Sequence, residues 1–499
     1  MNLNLSKSQY LRALQCEKSL WLYKYKRELQ DSPSTSQVAH FESGTLIGEL
    51  ALKLFDCKDK IDFDSSDFSQ KIAQTQSLIK NGAKSIAEAT FAHNGILAMI
   101  DILQITERGL IINEVKSSTS LKPVYIDDLA IQYFVLSNAM QQVGLEVIGA
   151  NLVHINSDYT RNGALELEKL FCKIDCLKSV IEKQSEVVDN LARFECVLSE
   201  SKNPPKIAID SHCDNPYPCD FKGECFKNVP SKNSVFNISR LDSRKKFALY
   251  HKGIVNLADI SDFSAFNKSQ RLQIECDLGR KIHIDKDAIR AFLATLRYPI
   301  YHLDFESFQE PVPSFDSQRP YMQVPFQYSL HIDYGDLRVE HREFLADCEG
   351  DPRGDLAKSL MQNIPQGAFI LAYNASFEKG VMKNLGANFA QYAEIMDGFV
   401  ANTADLMIPF KDRAYYHYDM QGSYSLKDIL PALVPEMENA YKDLELIHNG
   451  GEAMEVFPRL KFMSESERES YRNALLKYCE LDTLAMVKVV EKLKKIVDL

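Results

Sequence analysis

Tyr301-His-Leu-Asp-Phe-Glu-Ser307 decides how the second half of this 499-residue chain folds. The run reads as a buried strand, yet it carries two acids. Side chains alternate across a strand, so Asp304 and Glu306 project to one face. An apolar strand has no other good reason to turn two carboxylates the same way. Downstream, Ile370-Leu-Ala-Tyr-Asn374 predicts another strand, and Asn374-Ala-Ser-Phe-Glu378 leads into a helix. Near the C-terminus, Tyr478-Cys-Glu-Leu-Asp482 falls on a helix, where positions i and i+4 share a face. Tyr478 and Asp482 can therefore point into one site with Asp304, Glu306 and Glu378. Four acids in one place call for divalent cations. Two such ions can activate water and stabilise the leaving oxygen in phosphodiester cleavage. In this reading Tyr478 positions the water.

Around that strand the pattern is α/β. Strands fit 299–305, 324–333, 338–345 and 368–373, and helices fit 353–363, 376–385, 424–432 and 467–496. Residues 236–295 read as mostly helical and connective, and 203–230, rich in Pro, Cys and Asn, as irregular. A single core rarely grows to this length, so the chain should be multidomain. The expected division is 1–229, a helical connecting region 230–295, and 296–499. In the first part, helices are predicted over 6–30, 41–56, 66–91, 126–142 and 164–195, with a strand near 146–155.

The N-terminal part has its own constellation. The apolar stretches 96–105 and 110–117 flank Thr106-Glu-Arg-Gly109, which is a hairpin signal. With the turn centred between Glu107 and Arg108, residues whose numbers sum to 215 lie opposite each other, and Asp101 faces Glu114. Directly opposed side chains have Cβ atoms about 4.5–5.5 Å apart. Two carboxylates that close repel unless a cation separates them. Mg²⁺ or Mn²⁺, bound by oxygen ligands, meets that need. Lys116 faces the same way as Glu114 and could orient an attacking water or stabilise charge on a phosphate.

A third group is Cys213-x5-Cys219-x5-Cys225, in a Pro-containing loop, with Cys16 lying 197 residues before Cys213. The spacing is not that of a zinc ribbon, which prefers C-x2-C pairs. The remaining seven cysteines read as small buried hydrophobes.

These motifs also resemble known families. Ile111-Ile-Asn-Glu-Val-Lys-Ser-Ser118 resembles the core of the PD-(D/E)XK nucleases, in particular the RecB-like branch that includes the CRISPR-associated exonucleases. Gln132, in Leu129-Ala-Ile-Gln-Tyr133, resembles that branch's helical Gln motif. Thr45-Leu-Ile-Gly-Glu49 resembles the upstream helix that normally supplies a His ligand; Gly48 stands in its place, and Glu49 is the nearest candidate ligand. Leu14-Gln-Cys-Glu-Lys-Ser-Leu-Trp-Leu22 resembles the N-terminal motif of the iron-staple members. The resemblance implies that Cys16, Cys213, Cys219 and Cys225 hold a four-iron four-sulfur cluster, with zinc as the runner-up. Such a cluster would play a structural role by closing a long loop.

The C-terminal set resembles the DnaQ-like, ribonuclease-H-fold exonucleases: D-x-E on a first strand, N-x(2–3)-F-D with Glu378 here in place of Asp, and Y-x(3)-D. Asn402-Thr-Ala-Asp405 and Tyr424-Ser-Leu-Lys-Asp428 resemble that family's secondary motifs. The whole chain resembles a poorly characterised bacterial family in which a RecB-like half precedes a DnaQ-like half. The implied fold class is multidomain α/β: a restriction-endonuclease-like PD-(D/E)XK domain, a helical linker, and a ribonuclease-H-like α/β domain.

Composition fits a soluble globular protein, with 45% hydrophobic and 25% charged residues. The net charge of -11 argues against a surface coated in basic residues; phosphate contacts would come from local clusters such as Arg244-Lys245-Lys246. No signal-peptide pattern or membrane-spanning run is read, so the expected location is the cytoplasm, with no membrane partner and with thiols kept reduced. The leading expectation is a metal-dependent nuclease acting on nucleic acid, with DNA bearing free or single-stranded ends ahead of RNA. The alternatives are a nucleic-acid-binding or scaffolding protein with inactive sites, and an RNA-processing exonuclease using only the C-terminal site.

Overall fold

The computed structural model describes residues 4–62 and 67–498. It is a mixed α/β structure in two compact units. One comprises Met1–Asn228 with Glu310–Met322, the other Val229–Gln309 with Gln323–Leu499. The region expected as a separate connector, 230–295, thus packs with the second unit. The short segment Glu310–Met322 is grouped with the first.

In the first unit, seven strands form one sheet: β1 (Leu5–Ser6), β2 (Asp59–Lys60), β3 (Ser85–His93), β4 (Ile96–Thr106), β5 (Gly109–Lys116), β6 (Val147–Ile155) and β7 (Phe171–Asp175). Their order is β2-β3-β4-β5-β6-β7, with β1 paired to β4. The β3-β4-β5 meander is antiparallel, β6 runs parallel to β5, and the helix Pro123–Met140 makes the crossover between them. This helix begins with Pro at its first turn, where a missing N–H costs nothing. It buries Leu129, Ile131, Val135 and Leu136 in the same core as Ile100, Leu103 and Ile112 of the sheet.

Three helical expectations change here. The span 6–30 is two helices, Lys7–Gln15 and Glu17–Tyr25, broken at Cys16, whose backbone is extended (φ -163°, ψ 115°). The expected helix 66–91 starts at a residue outside those described. It is a helix only over Phe68–Lys80, and Ser85–His93 is a strand. Gly82, at φ 84°, ends the helix. The run after it is buried in the sheet between β2 and β4, and a short apolar run does not announce which element it joins. Likewise 164–195 is interrupted by β7, which pairs with β6.

The second unit is built on a five-stranded sheet: β9 (Ile300–Phe308), β10 (Val324–Asp333), β11 (Val339–Leu345), β12 (Phe369–Ala372) and β13 (Thr403–Asp405), in the order β11-β10-β9-β12-β13. A separate pair joins β8 (Ile282–Ile284) to β14 (Tyr415–His417). The β9-β10-β11 meander is antiparallel; β12 and β13 add in parallel. Every residue of β10 is buried, so the polar residues that alternate along it, Gln327, Ser329 and His331, face a covered layer rather than solvent. The helix Glu465–Ile496 lies along this sheet, and Gln327 Nε2 donates to Leu475 O at 2.8 Å to tie the two layers. Among the described residues, no helix is long and apolar enough to cross a membrane.

Candidate metal centres

In the second unit, β9 presents Asp304 and Glu306 to the layer covered by Glu465–Ile496. Glu378 sits in the first turn of the helix Ser376–Asn388, and Asp482 and Tyr478 come from Glu465–Ile496. Glu306, Glu378 and Asp482 are buried and Asp304 half-buried. The four acids gather. Burial and the Asp482 charge push Asp304 well above the usual carboxylate range. Burial together with Asp304, Asp482 and Glu378 does the same for Glu306. Glu378 rises through burial and Asp304. Asp482 is pushed up to about 6 by burial, against the pull of Tyr441, Lys427 and Tyr478. Buried like charges that destabilise one another's ionised forms are what a cation would relieve. Glu378 Oε2 is buried without a hydrogen-bond partner, so it keeps acceptor capacity that the packing leaves unused. Carboxylate oxygens are the ligands Mg²⁺ and Mn²⁺ prefer, so these residues fit such an ion.

Other groups complete the site. Tyr441 Oη donates to Asp482 Oδ1 at 2.5 Å. Burial and the acids hold the Tyr478 hydroxyl far above its ordinary value, so it stays protonated. Lys427 lies 4.8 Å from the Tyr478 ring centre and donates to His448 O at 2.8 Å, placing one cation near the four acids. Cys479 Sγ approaches Asp304 Oδ2 at 3.6 Å. Asp405 accepts from the backbone of Asn374 and Met407, fixing the turn that leads to Glu378. Tyr441 was missed at the level of sequence; Lys427 lay inside a quoted motif without a role, and Cys479, read as a small buried hydrophobe, is fully buried.

In the first unit, β4 and β5 pair with Ile102 opposite Asn113 and Thr106 opposite Gly109, the register that sets Asp101 across from Glu114. Asp101 Oδ2 accepts from Val115 N at 2.8 Å. Glu114 is buried and receives Lys116 Nζ at 2.5 Å and Gln132 Nε2 at 2.7 Å. Gln132 also donates to Asp128 at 2.9 Å, and Lys116 to Asp128 at 2.8 Å. Asp128 lies one helical turn before Gln132, and that i, i+4 relation was the available sequence signal.

A second cation beside Lys116 stands among these carboxylates, Lys7. Strand β1 pairs with the end of β4 that β5 does not reach, and Ser6 then caps the helix that starts at Lys7. The ammonium lies 3.0 Å from Glu114, 3.6 Å from Asp128 and 3.8 Å from Asp101. Burial alone would lower Lys7; the three acids instead hold it above its ordinary value. Burial also acts to raise Asp128, but Lys116 and Lys7 keep it well below the carboxylate range. Glu114 is pushed up to about 8 by burial, Asp101 and Asp128. Glu88, opposite Asp101 in the β3–β4 register, holds a left-handed φ of 55° and is pushed up to about 7 by burial and Asp101. Such a backbone costs a non-glycine residue about 1–3 kcal/mol and concentrates at functional sites.

Glu49 is not brought to this group, which corrects the expectation for it. It is exposed and lines a cleft with Leu52, Lys53, Asp56, Cys57 and Lys60. The reason is helical phase: Ile47 is the fully buried residue of this turn, and Glu49, two positions on, lies about 200° around the helix. Because Lys7 neutralises a buried acid, Lys7→Met is expected to cost about 3–5 kcal/mol in divalent-free buffer. Mn²⁺ should restore part of that loss. Urea unfolding with and without Mn²⁺ measures both, and an unchanged midpoint would mean that Lys7 does not neutralise these carboxylates.

Cys16, Cys213, Cys219 and Cys225 line one small cavity with Ser19, Phe221 and Ile209, and all are free thiols. Burial pushes Cys213 up to about 11, with Cys219, Cys16 and Cys225 adding to the rise. The N-terminal helices are tied to this loop: Arg12 pairs with Asp220, and Gln15 donates to His212 O at 2.8 Å and Tyr217 O at 2.7 Å. Four thiols around one cavity match the ligand count of a four-iron four-sulfur cluster and of tetrahedral zinc alike. Tetrahedral zinc, with Zn–S of about 2.3 Å, would need sulfurs roughly 3.8 Å apart.

Residues 301–425 match a domain of unknown function, DUF2779. The chain is 26% identical over 240 residues to the uncharacterized protein UU173 of Ureaplasma parvum serovar 3, covering 44% of this chain and 34% of the relative. It is 25% identical over 209 residues to the uncharacterized protein MG366 of Mycoplasma genitalium, covering 38% and 31%. The matches therefore span about a third of the length of these curated relatives. A solved structure of the yeast NOT1 MIF4G domain co-crystallized with CAF1 aligns at 14% identity over 40% of this chain and 84% of that one, with a TM-score of 0.19.

Proposed function

We propose that the protein is a metal-dependent nuclease whose hydrolytic centre is the C-terminal four-acid site, acting on DNA with free or single-stranded ends. The observation that carries this reading is the convergence of Asp304, Glu306, Glu378 and Asp482, from three separate stretches of chain, beside Tyr478. The strand order β11-β10-β9-β12-β13, with the first acids on the central strand, supports a ribonuclease-H-like second unit. Likewise, an antiparallel meander crossing over to a parallel strand, with Glu114 and Lys116 at the end of β5, supports a PD-(D/E)XK-like first unit.

Asp304, Glu306, Glu378 and Asp482 would hold Mg²⁺ or Mn²⁺, which would supply an activated water and stabilise the leaving oxygen. The protein's own groups do the rest. Tyr478, protonated beside the acids, orients a water rather than accepting its proton. Tyr441 fixes the Asp482 carboxylate. Lys427 offers a cation for the phosphate. The thiolate set would hold a four-iron four-sulfur cluster that clasps the first unit.

The Lys7 ammonium among Asp101, Glu114 and Asp128 favours a second reading for the first unit alone, in which it binds nucleic acid without cutting it. End-labelled single-stranded DNA, duplex DNA and RNA, each with Mg²⁺ or Mn²⁺, test both ideas. Single-stranded DNA should be degraded fastest, and Glu114→Ala should leave that rate within about two-fold if the second reading holds. Absence of divalent-dependent cleavage of all three substrates would overturn the proposal.

A further inference from the structure

Three histidines stand in one row across the second unit's sheet. His302 on β9 is opposite His331 on β10, and His331 is opposite His341 on β11. Directly opposed residues of antiparallel strands face the same side. The row therefore lies under the helix Glu465–Ile496, next to the Asp304–Ser329 pair. His331 and His341 stack with ring centres 4.5 Å apart. His341 Nδ1 lies 3.7 Å from Glu480 Oε1. One donor atom from each of His331, His341 and Glu480 falls within 4.8 Å of the others.

The second ring nitrogens are already committed. His331 Nδ1 meets Thr483 Oγ1 at 2.7 Å, and His341 Nε2 meets Ser329 Oγ at 3.0 Å. The two hydroxyls are themselves bonded at 2.7 Å. This leaves His331 Nε2 and His341 Nδ1 as lone-pair donors, each ring oriented from behind as metal-bound histidines are. Beneath them, His302 is fully buried with neither ring nitrogen partnered, so this layer carries more polar capacity than its packing uses.

We propose that His331, His341 and Glu480 form a zinc site that staples the helix carrying Tyr478 and Asp482 to the sheet carrying Asp304 and Glu306. Two imidazoles and one carboxylate are a zinc donor set, with bonds of about 2.0–2.2 Å that place donors roughly 3.3–3.5 Å apart. The 3.7 Å separation is close to that value. A carboxylate-only magnesium site would not choose two imidazoles. Glu480 is partly exposed, so the ion can enter from solvent and a water can complete its coordination.

The test uses the full chain, isolated anaerobically, equilibrated with zinc, freed of excess ion and analysed for metal. Wild type should retain about one zinc per chain more than His341→Gln or Glu480→Gln. Zinc should raise the wild-type melting temperature by about 2–4 °C and leave both variants unmoved. Cobalt in place of zinc should give visible bands that are lost in both variants. Glu480→Gln changes a partly exposed residue, so a folding failure in the histidine variant would not mask the answer. Equal zinc content and equal thermal shifts in all three proteins would overturn the site. None of these readouts depends on nuclease activity.

Discussion

Asp304→Ala is expected to cut divalent-dependent cleavage by about 10³-fold, roughly 4 kcal/mol of transition-state stabilisation. The same change should make the metal-free protein more stable near pH 8. The sign follows from linkage. Asp304, Glu306 and Glu378 are raised by burial and mutual repulsion, and Asp482 sits at about 6. A carboxyl whose folded value exceeds its unfolded value of about 4 favours the native state when protonated. That contribution is complete below about pH 4 and is lost as pH rises through 6 and beyond. Wild type without metal should thus melt progressively lower from pH 5 to pH 8, and Asp304→Ala should flatten the slope. Mg²⁺ or Mn²⁺ should raise wild type at pH 8 and leave the variant nearly unmoved. Thermal melts with a chelator and with each ion read all of this. Full activity in Asp304→Ala, or a wild-type melting temperature that climbs with pH in chelator, would defeat the assignment of this group as the ion's seat.

Cys219→Ser should have the second large effect, this time on the first unit. Cys16 and Cys213 are 197 residues apart in sequence, and a cross-link closing a loop of that order stabilises the folded state by about 5 kcal/mol. That is comparable to the whole stability of a typical domain. The wild-type protein, purified anaerobically, should be brown with about four irons per chain. The variant should be colourless, and its first unit should yield to protease while Val229–Gln309 and Gln323–Leu499 largely persist. Colourless wild type holding zinc would instead favour the runner-up, and an undiminished first unit in the variant would remove the structural role altogether.

Much of the architecture was legible because its signals are local. The strand at 324–333 and the helix at 353–363 are read from periodicity with the bounds the structure gives them. The hairpin register followed from a four-residue turn, since a two-fold side-chain period leaves no freedom once the turn is set. Reading failed where a residue's partner is remote. Ser85–His93 is a strand because β2 and β4 flank it, and Phe171–Asp175 because β6 accepts it. Nothing within either run of residues says so.

The sites divide the same way. Which acids could work together, Asp304 with Glu306 or Tyr478 with Asp482, is a matter of spacing on one strand or one helix, and the chain order alone determines it. That Lys7 joins Lys116 among Asp101, Glu114 and Asp128 is not. Lys7 reaches them because a two-residue strand fills the unpaired end of β4, more than 90 positions away in the chain. Glu49 is a candidate by nearness in sequence, and helical phase turns it away. His302, His331 and His341 carry no motif at all; only sheet register aligns them. Local chemistry follows from covalent neighbours, whereas electrostatics and metal geometry depend on through-space distances that the folded chain alone sets.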